Sequence, residues 1–323
     1  MTGPLSQQAV VTLQHTSITV ILNAGAGGTA AQMTRSRIEQ ALSALDYPCT
    51  IVEVASGQKL LEVGRKAVLN ASQTGGIVVA AGGDGTVNTI ASLCCEYRVP
   101  LGIIPAGTFN YFARDLGIPE DPDAAAKLLL AGDIAQVSVG YVNGKLFLNN
   151  ASFGLYSKLI RNREEDKARF GRFRVVAVLS ALFSLLSGVR PFGVQLQIGN
   201  ESLLRKTSMV FVANNLLQLS KLDTDLAGAT PEDRLAVFVL RPTGRLDMLR
   251  LLLRGAFRNL ASDPHLETFC TDAFDTETRR RHVDVVVDGE IVRCATPLSF
   301  RVARHALGVI VPQTNGVIAK EGE

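Results

Sequence analysis

The sequence predicts an α/β N-terminal domain with a parallel sheet and nucleotide-binding loops at its strand ends, followed by a second, largely antiparallel β-rich domain. Three observations support this. Up to about residue 136, short apolar runs alternate with segments of helical character, the pattern of a parallel sheet covered on both faces. Beyond that point strand-like runs follow one another around tight turns at Asn143-Gly144 and Asp288-Gly289, which suit antiparallel pairing. Glycine clusters also sit where apolar runs end in the first part, the place at which an open α/β sheet holds its ligands.

The elements follow in order. "ITVILN" (18–23) reads as a buried strand, then a glycine-rich turn and a helix through "MTRSRIEQALSAL". "CTIVEVA" is a second strand and "LLEVGRKAVLNAS" a helix. "GGIVVAA" is a third strand, leading through "GGDGT" into a helix over "NTIASLCCEY". "PLGIIP" is a fourth strand. "EDPDAAAKLLLAGD" is a punctuated helix, with Asp121 as N-cap, Pro122 in the first turn and Gly132 past the end. After "VSVGYVNGKLFLNN", the runs "VQLQIGNESLLRKTSMVFVANN", "LAVFVLRP", "HVDVVVDGEIVR" and "LSFRVARHALGVIVP" continue the strand-rich pattern, interrupted by helices at 173–189 and 246–257. The expected domains are residues 17–136 and 137–300, with 301–312 a C-terminal strand packing back on the first.

Composition narrows the function classes. Lys plus Arg (33) exceeds Asp plus Glu (30) by only three, which gives no argument for nucleic acid as a partner. Five scattered cysteines without a C-x-x-C pair, and four histidines without ligand spacing, argue against a disulfide framework or a zinc site, and a reduced cytoplasmic location is expected. The N-terminus lacks the pattern of a signal peptide. "FRVVAVLSALFSLLSGV" falls short of the ~20 apolar residues of a membrane span and reads as a buried or interfacial helix.

Chemistry concentrates in two loops. In the first, a buried strand runs into Gly82, Gly83, Asp84, Gly85 and Thr86, with Asn88 on the helix that follows. Bare backbone N–H groups there can converge on an anion, aided by the positive end of the helix. Asp84 would repel phosphates unless a divalent cation or an ordered hydrogen bond intervenes; the plain alternative is that Asp84 or Thr86 caps the helix. In the second, Gly107, Thr108 and Asn110 follow the fourth strand. Two polar, glycine-bearing loops on neighbouring strand ends suggest two walls of one nucleotide pocket.

The motif G-G-D-G-T-x-N, followed about twenty residues later by P-x-G-T-x-N-x-F-A-R-x-L-G-I-P, resembles the diacylglycerol kinase catalytic-domain family, its bacterial lipid kinases in particular, which is related to the sphingosine kinases. "FLNNASFGLY", "FVANN" and "VDGE" sit in the family's order, so the resemblance covers almost the whole chain. It implies an ATP-dependent kinase that transfers the γ-phosphoryl group to a lipid hydroxyl, diacylglycerol-like or another lipid alcohol, with ATP and Mg2+ as cofactors. By resemblance, Gly82–Asn88 and Thr108 bind the nucleotide, as does a first-strand loop from Asn23 to Gly28 that includes Gly25 and Gly27. Asp84 and Glu290 are the candidate catalytic residues, Glu290 as general base; no metal ligand is assigned.

The chain departs from the family pattern at Ala24, Gly28, Thr89, Tyr111 and Ser138, which bears on how magnesium is held. "PEDRLAVF" only loosely echoes the family's structural metal loop. Three alternatives stay open. Gly25 to Ala30 fits a permissive G-x-G-x-x-A fingerprint with Glu53 beyond it, as in a Rossmann dinucleotide enzyme. The G-G-D-G loop also occurs in NAD kinase. A degenerate kinase could act as a lipid-binding module. The expected partner is a lipid at a membrane surface, with peripheral contact at the inner face through the basic run Arg161–Arg174 set against an ordinary solvated segment. The sequence does not set the oligomeric state; a homodimer is compatible with it.

Overall fold

A computed structural model describes residues 17–23, 29–45, 47–54, 57–154, 191–214, 233–242 and 265–313. The chain divides into two units, one of residues 1–137 and 305–323 and the other of Ser138–Arg304.

In the first unit, β1 (Ile18–Leu22), β2 (Cys49–Glu53), β3 (Ile77–Gly82) and β4 (Leu101–Pro105) are parallel and lie in the order β2-β1-β3-β4. Every residue of β3 and β4 is buried, which explains why these strands read as continuous apolar runs without alternation. Helices α1 (Thr29–Ser43), α2 (Gly57–Thr74), α3 (Asp84–Tyr97) and α5 (Pro122–Ala131) cover the sheet. Ile38, Ala41 and Leu42 of α1 share a core with Ala125, Ala126 and Leu129 of α5. On α2, a Cβ added at Gly64 would come within 2.8 Å of Ile90 and Leu93 of α3, so the glycine is what lets these two helices approach. Asp121 caps α5 by accepting from the Ala124 N–H (3.1 Å), and Gly132 ends it, as the punctuation predicts. Two helices differ from expectation: α1 starts four residues earlier than "MTRSR", and α3 starts at Asp84, so the glycine motif itself forms its first turn. The short helix α4 (Tyr111–Asp115) was not foreseen.

The last strand, β16 (Leu298–Val311), contributes to the first unit from His305 onward, where Val309 pairs parallel with Leu101 and Ile310 joins the core.

The second unit is built from antiparallel strands. One sheet has the order β12-β11-β10-β7-β14-β15, formed by Leu266–Thr271, Leu235–Leu240, Met209–Ala213, Asn150–Gly154, His282–Val287 and Glu290–Ala295. A second group runs from the first half of β16 through β13 (Ala273–Thr278) and β8 (Phe192–Ile198) to the edge strand β9 (Glu201–Thr207). Both contribute to one core, in which Phe153 and Phe274 pack on Phe300 with ring centroids 6.3 and 4.7 Å away. β5 (Asp133–Val142) and β6 (Lys145–Phe147) form the hairpin expected at Asn143-Gly144, both turn residues having positive φ (46° and 79°), the requirement of a type I′ turn. The segments "LETFCT" and "AFDTET" form β12 and β13, two strands the sequence reading passed over. The helices expected at 173–189 and 246–257 lie outside the described residues.

Candidate active site

The strand order determines where a ligand pocket forms. β1 has β2 on one side and β3 on the other, so the connections leaving β1 and β3 diverge. This is a topological switch point, and the crevice outside the carboxyl ends of the two strands lies there. Register aligns these ends: Leu22 pairs with Ala81, and Gly82 with Pro105. Asn23, the Gly82–Thr86 loop and the Ala106–Asn110 loop therefore emerge side by side.

Hydrogen bonds join the three loops. The Asn23 N–H donates to the Ala81 carbonyl, and its side-chain amide to Thr86 Oγ1, both at 2.9 Å. The Ala106 N–H donates to the Gly82 carbonyl (2.9 Å). Asn110, held at positive φ (50°), closes a small ring on Gly107: its Oδ1 accepts from the Gly107 N–H (2.9 Å) and its Nδ2 donates to the Gly107 carbonyl (3.1 Å). Between the loops there is no room for side chains. A Cβ on Gly107 would lie 2.6 Å from Gly83 Cα, and one on Gly83 would lie 3.2 Å from Gly107 Cα. Backbone touches backbone here, which is the reason for glycine in both motifs.

Asp84 has a defined task in this seam. Its Oδ2 accepts from the Asn110 N–H (3.0 Å) and its Oδ1 from the Tyr111 N–H (2.8 Å). The carboxylate thereby binds the start of α4 while its own backbone begins α3. Of the alternatives for Asp84, the ordered hydrogen bond is the one found. The plain capping alternative fails: the N-cap position is Gly83, no side chain caps it, and the Thr86 hydroxyl faces Asn23.

The other candidates divide by position. Gly85 and Thr108 are exposed, Thr86 and Asn110 are buried, and Asn88 is partly buried on α3. Gly25 and Gly27, with Ala24 and Gly28, lie outside the described residues, as does the Gly25–Ala30 fingerprint apart from the backbone of its last two residues. Of the departures, Thr89 turns its hydroxyl back to the Gly85 carbonyl (2.9 Å), and Tyr111 stacks on Phe109 with centroids 5.3 Å apart.

Glu290 belongs to the second unit. Asp288 (φ 46°) and Gly289 (φ 92°) form the two-residue turn between β14 and β15, and Glu290 is exposed directly after it. Asp288 is more than a turn former. Its carboxylate accepts three backbone N–H groups, from Leu148 (2.7 Å), Asn149 (2.9 Å) and Asn150 (2.9 Å), and its own N–H donates to the Asn150 carbonyl (2.9 Å). The "FLNN" and "VDGE" motifs are thus a single device, in which one fixes the base of the turn that carries Glu290. The sequence reading missed this role; an aspartate beginning a turn, with another motif left unexplained, was the available signal.

Ser138 hydrogen-bonds Asp233, and the Asn214 side chain donates to the Ser138 carbonyl (2.8 Å). At "PEDRLAVF", Arg234 and Arg304 both bind Asp272 (3.0 and 2.7 Å), and Arg304 also donates to the Asp233 carbonyl (3.1 Å). Among the described residues, no three His, Cys, Asp or Glu side chains converge as a metal site, and no helix is long and apolar enough to cross a membrane.

A parallel sheet whose switch point is lined by touching glycine loops offers a ligand crevice of the open α/β type, and the chain can be compared with known proteins at this point. Residues 17–142 match the family model of the diacylglycerol kinase catalytic domain. Through this segment the chain is similar to the diacylglycerol kinase catalytic-domain family. It is 42% identical over 117 residues to a Pseudomonas aeruginosa (strain UCBPP-PA14) protein called "Probable lipid kinase YegS-like", covering 36% of each chain. It is 43% identical over 86 residues to the diacylglycerol kinase of Bacillus subtilis (strain 168), covering 26% of this chain and 28% of that one. The matched segment thus spans about a third of each of these relatives. A crystal structure of a diacylglycerol kinase from Bacillus anthracis str. Sterne shares the fold, with a TM-score of 0.69 at 21% identity over 92% of this chain and 96% of that one.

Proposed function

We propose that the protein is a lipid kinase that transfers the γ-phosphoryl group of ATP to a lipid hydroxyl. The observation that carries this is the switch-point seam, where Gly83 and Gly107 meet without side chains and Asp84 holds the second loop in place. Such a cradle offers backbone N–H groups and a helix N-terminus to phosphate, and a Cβ at either glycine would intrude on it. The named relatives are lipid kinases, which supports a lipid as the acceptor.

In this reading Gly82–Thr86, Asn88, Gly107, Thr108 and Asn110 bind the nucleotide, with Asn23 beside them. The residues present also suit Mg2+, which keeps most of its water and is commonly held by one carboxylate plus substrate phosphates; Asp84, whose oxygens each retain an acceptor site, is the carboxylate at hand. Bound there, Mg2+ supplies charge neutralisation of the phosphates. Glu290 is the general base: as the acceptor oxygen bonds to the γ-phosphorus and the bond to the ADP oxygen breaks, the hydroxyl proton passes to its carboxylate.

The test is transfer of label from γ-labelled ATP to a total lipid extract by the parent and by Glu290→Gln. The amide keeps the size of the side chain but cannot take the proton, so turnover should fall roughly 10²–10⁴-fold with ATP affinity retained. A Glu290→Gln protein within a few-fold of the parent removes Glu290 from the chemistry. Absence of any labelled lipid with the parent leaves a nucleotide- or lipid-binding module.

A further inference from the structure

The turn between β13 and β14 carries Arg279, Arg280, Arg281 and His282, all exposed. Among the described residues none of the three guanidinium groups makes an ion pair, although arginines elsewhere in the second unit bind Asp272 or Glu267. The backbone beneath them is fixed. Thr296 donates from its N–H to the Arg281 carbonyl (3.0 Å) and from its hydroxyl to the Arg280 carbonyl (2.6 Å), and the Arg280 N–H donates to Thr278 Oγ1 (3.2 Å). Three unpaired cations are therefore held together on a short, anchored turn.

Strand register extends the patch. Thr278 pairs with Val194 and Val194 with Arg205; one step further, Arg279 comes level with Gly193, whose partner on β9 is Lys206. Lys206 thus stands about 10 Å from Arg279 across the sheet, two strand spacings away, with only an exposed glycine between them. Leu204, two residues before Lys206 and on the same face, is 76% exposed, the highest value among the exposed large hydrophobics of the described residues. The nearest acids on this face are Glu277 and Asp275 of β13, so cations dominate only at the turn itself.

We propose that the Arg279–Arg281 turn, with Lys206 and Leu204 beside it on the edge strand, is a docking surface for an anionic lipid bilayer. A free phosphate would engage one or two of these groups, whereas cations spread over about 10 Å with an exposed leucine flanking Lys206 match a broad surface that is charged outside and apolar within. The choice of a bilayer over another polyanion rests on the lipid kinase reading. The patch lies at the opposite end of β14 from the Asp288-Gly289 turn, about 20 Å along the strand, so it serves attachment and not the chemistry at Glu290.

Co-sedimentation with phosphatidylcholine vesicles, with and without phosphatidylglycerol, tests this on the full chain. The parent should bind the anionic vesicles, and release with rising salt. Arg279→Gln, Arg280→Gln and Arg281→Gln combined should weaken binding roughly 10²-fold with the thermal unfolding midpoint unchanged, and Leu204→Ser alone should weaken it several-fold. Transfer to a short-chain lipid acceptor in detergent micelles should be the same for the triple variant and the parent. A triple variant that binds anionic vesicles like the parent overturns the proposal, as does arginine-dependent binding of the parent to duplex nucleic acid without binding to vesicles. A parent that binds vesicles through these arginines but labels no lipid leaves the docking surface standing and removes the kinase reading.

Discussion

Replacing Asp84 by Asn separates its positional role from any chemical one. Its two oxygens each accept one backbone N–H, from Asn110 and Tyr111. A hydrogen bond to a charged group is worth about 1.5–3 kcal/mol and a neutral one about 1 kcal/mol. Asn keeps one acceptor and turns an NH2 group toward the other donor, so one bond is lost and the other loses its charge component. With Asp84 only partly buried, the lower part of the range applies, about 2–3 kcal/mol for the local opening of this loop. That is roughly 30–150-fold in the opening constant. Hydrogen exchange at the Asn110 and Tyr111 amides, measured without nucleotide or magnesium, should accelerate by this factor, while the amides of β4 keep their protection. Acceleration of less than about threefold, or an equal acceleration throughout β4, would refute the clamp.

Gly107→Ala places a methyl 2.6 Å from Gly83 Cα and 2.7 Å from Asn110 Oδ1, so it should cost about 1–3 kcal/mol and weaken ATP binding by calorimetry; Gly193→Ala, with nothing within 4 Å, is the neutral control. Glu267 is held below the usual carboxylate range chiefly by its hydrogen bond from Arg205, with burial opposing and Arg241 adding a weaker contact at 3.6 Å. Because its folded pKa is depressed, its stabilisation is complete above the unfolded value, about pH 4.3, and disappears as pH falls through the folded one. Thermal scans from neutral pH to about pH 3 should therefore fall less steeply for Glu267→Gln than for the parent, and parallel curves would contradict the pairing.

Much of the first unit was legible because its signals are local. Buried parallel strands are apolar throughout, Asp121 and Gly132 mark a helix by their own chemistry, and glycines cluster where backbones meet. The errors at the starts of α1 and α3 have a common cause, since both helices begin inside glycine-rich or small-residue sequence that reads as a loop. α4 was missed because its five residues rely on the Asp84 carboxylate, a partner 26 and 27 positions away. β12 and β13 were missed because the buried positions Thr271 and Thr276 are polar where an alternating strand would be apolar, and only pairing with β11, β8 and β16 identifies them as strands. The seam contact between Gly83 and Gly107, and the link from Asp288 to Leu148–Asn150, are invisible in sequence for the same reason: each is a meeting of distant segments.

The position of β7 bears on how the protein comes off the ribosome. It is made early in the second unit, yet its neighbours on either side are β10 and β14. The Asp288 carboxylate that ties down the residue at its start arrives 138 positions later. Until β10 is made, both edges of this short apolar segment, with Ala151 and Phe153 destined for the core, are unpaired, and the edge that β14 covers stays open for the whole interval. Closing such distant pairs is slow, and an open edge can recruit another chain in the meantime. The yield of native protein should therefore depend on translation rate and chaperone supply more than on the stability of the finished fold, with the second unit the part that aggregates when either is limiting.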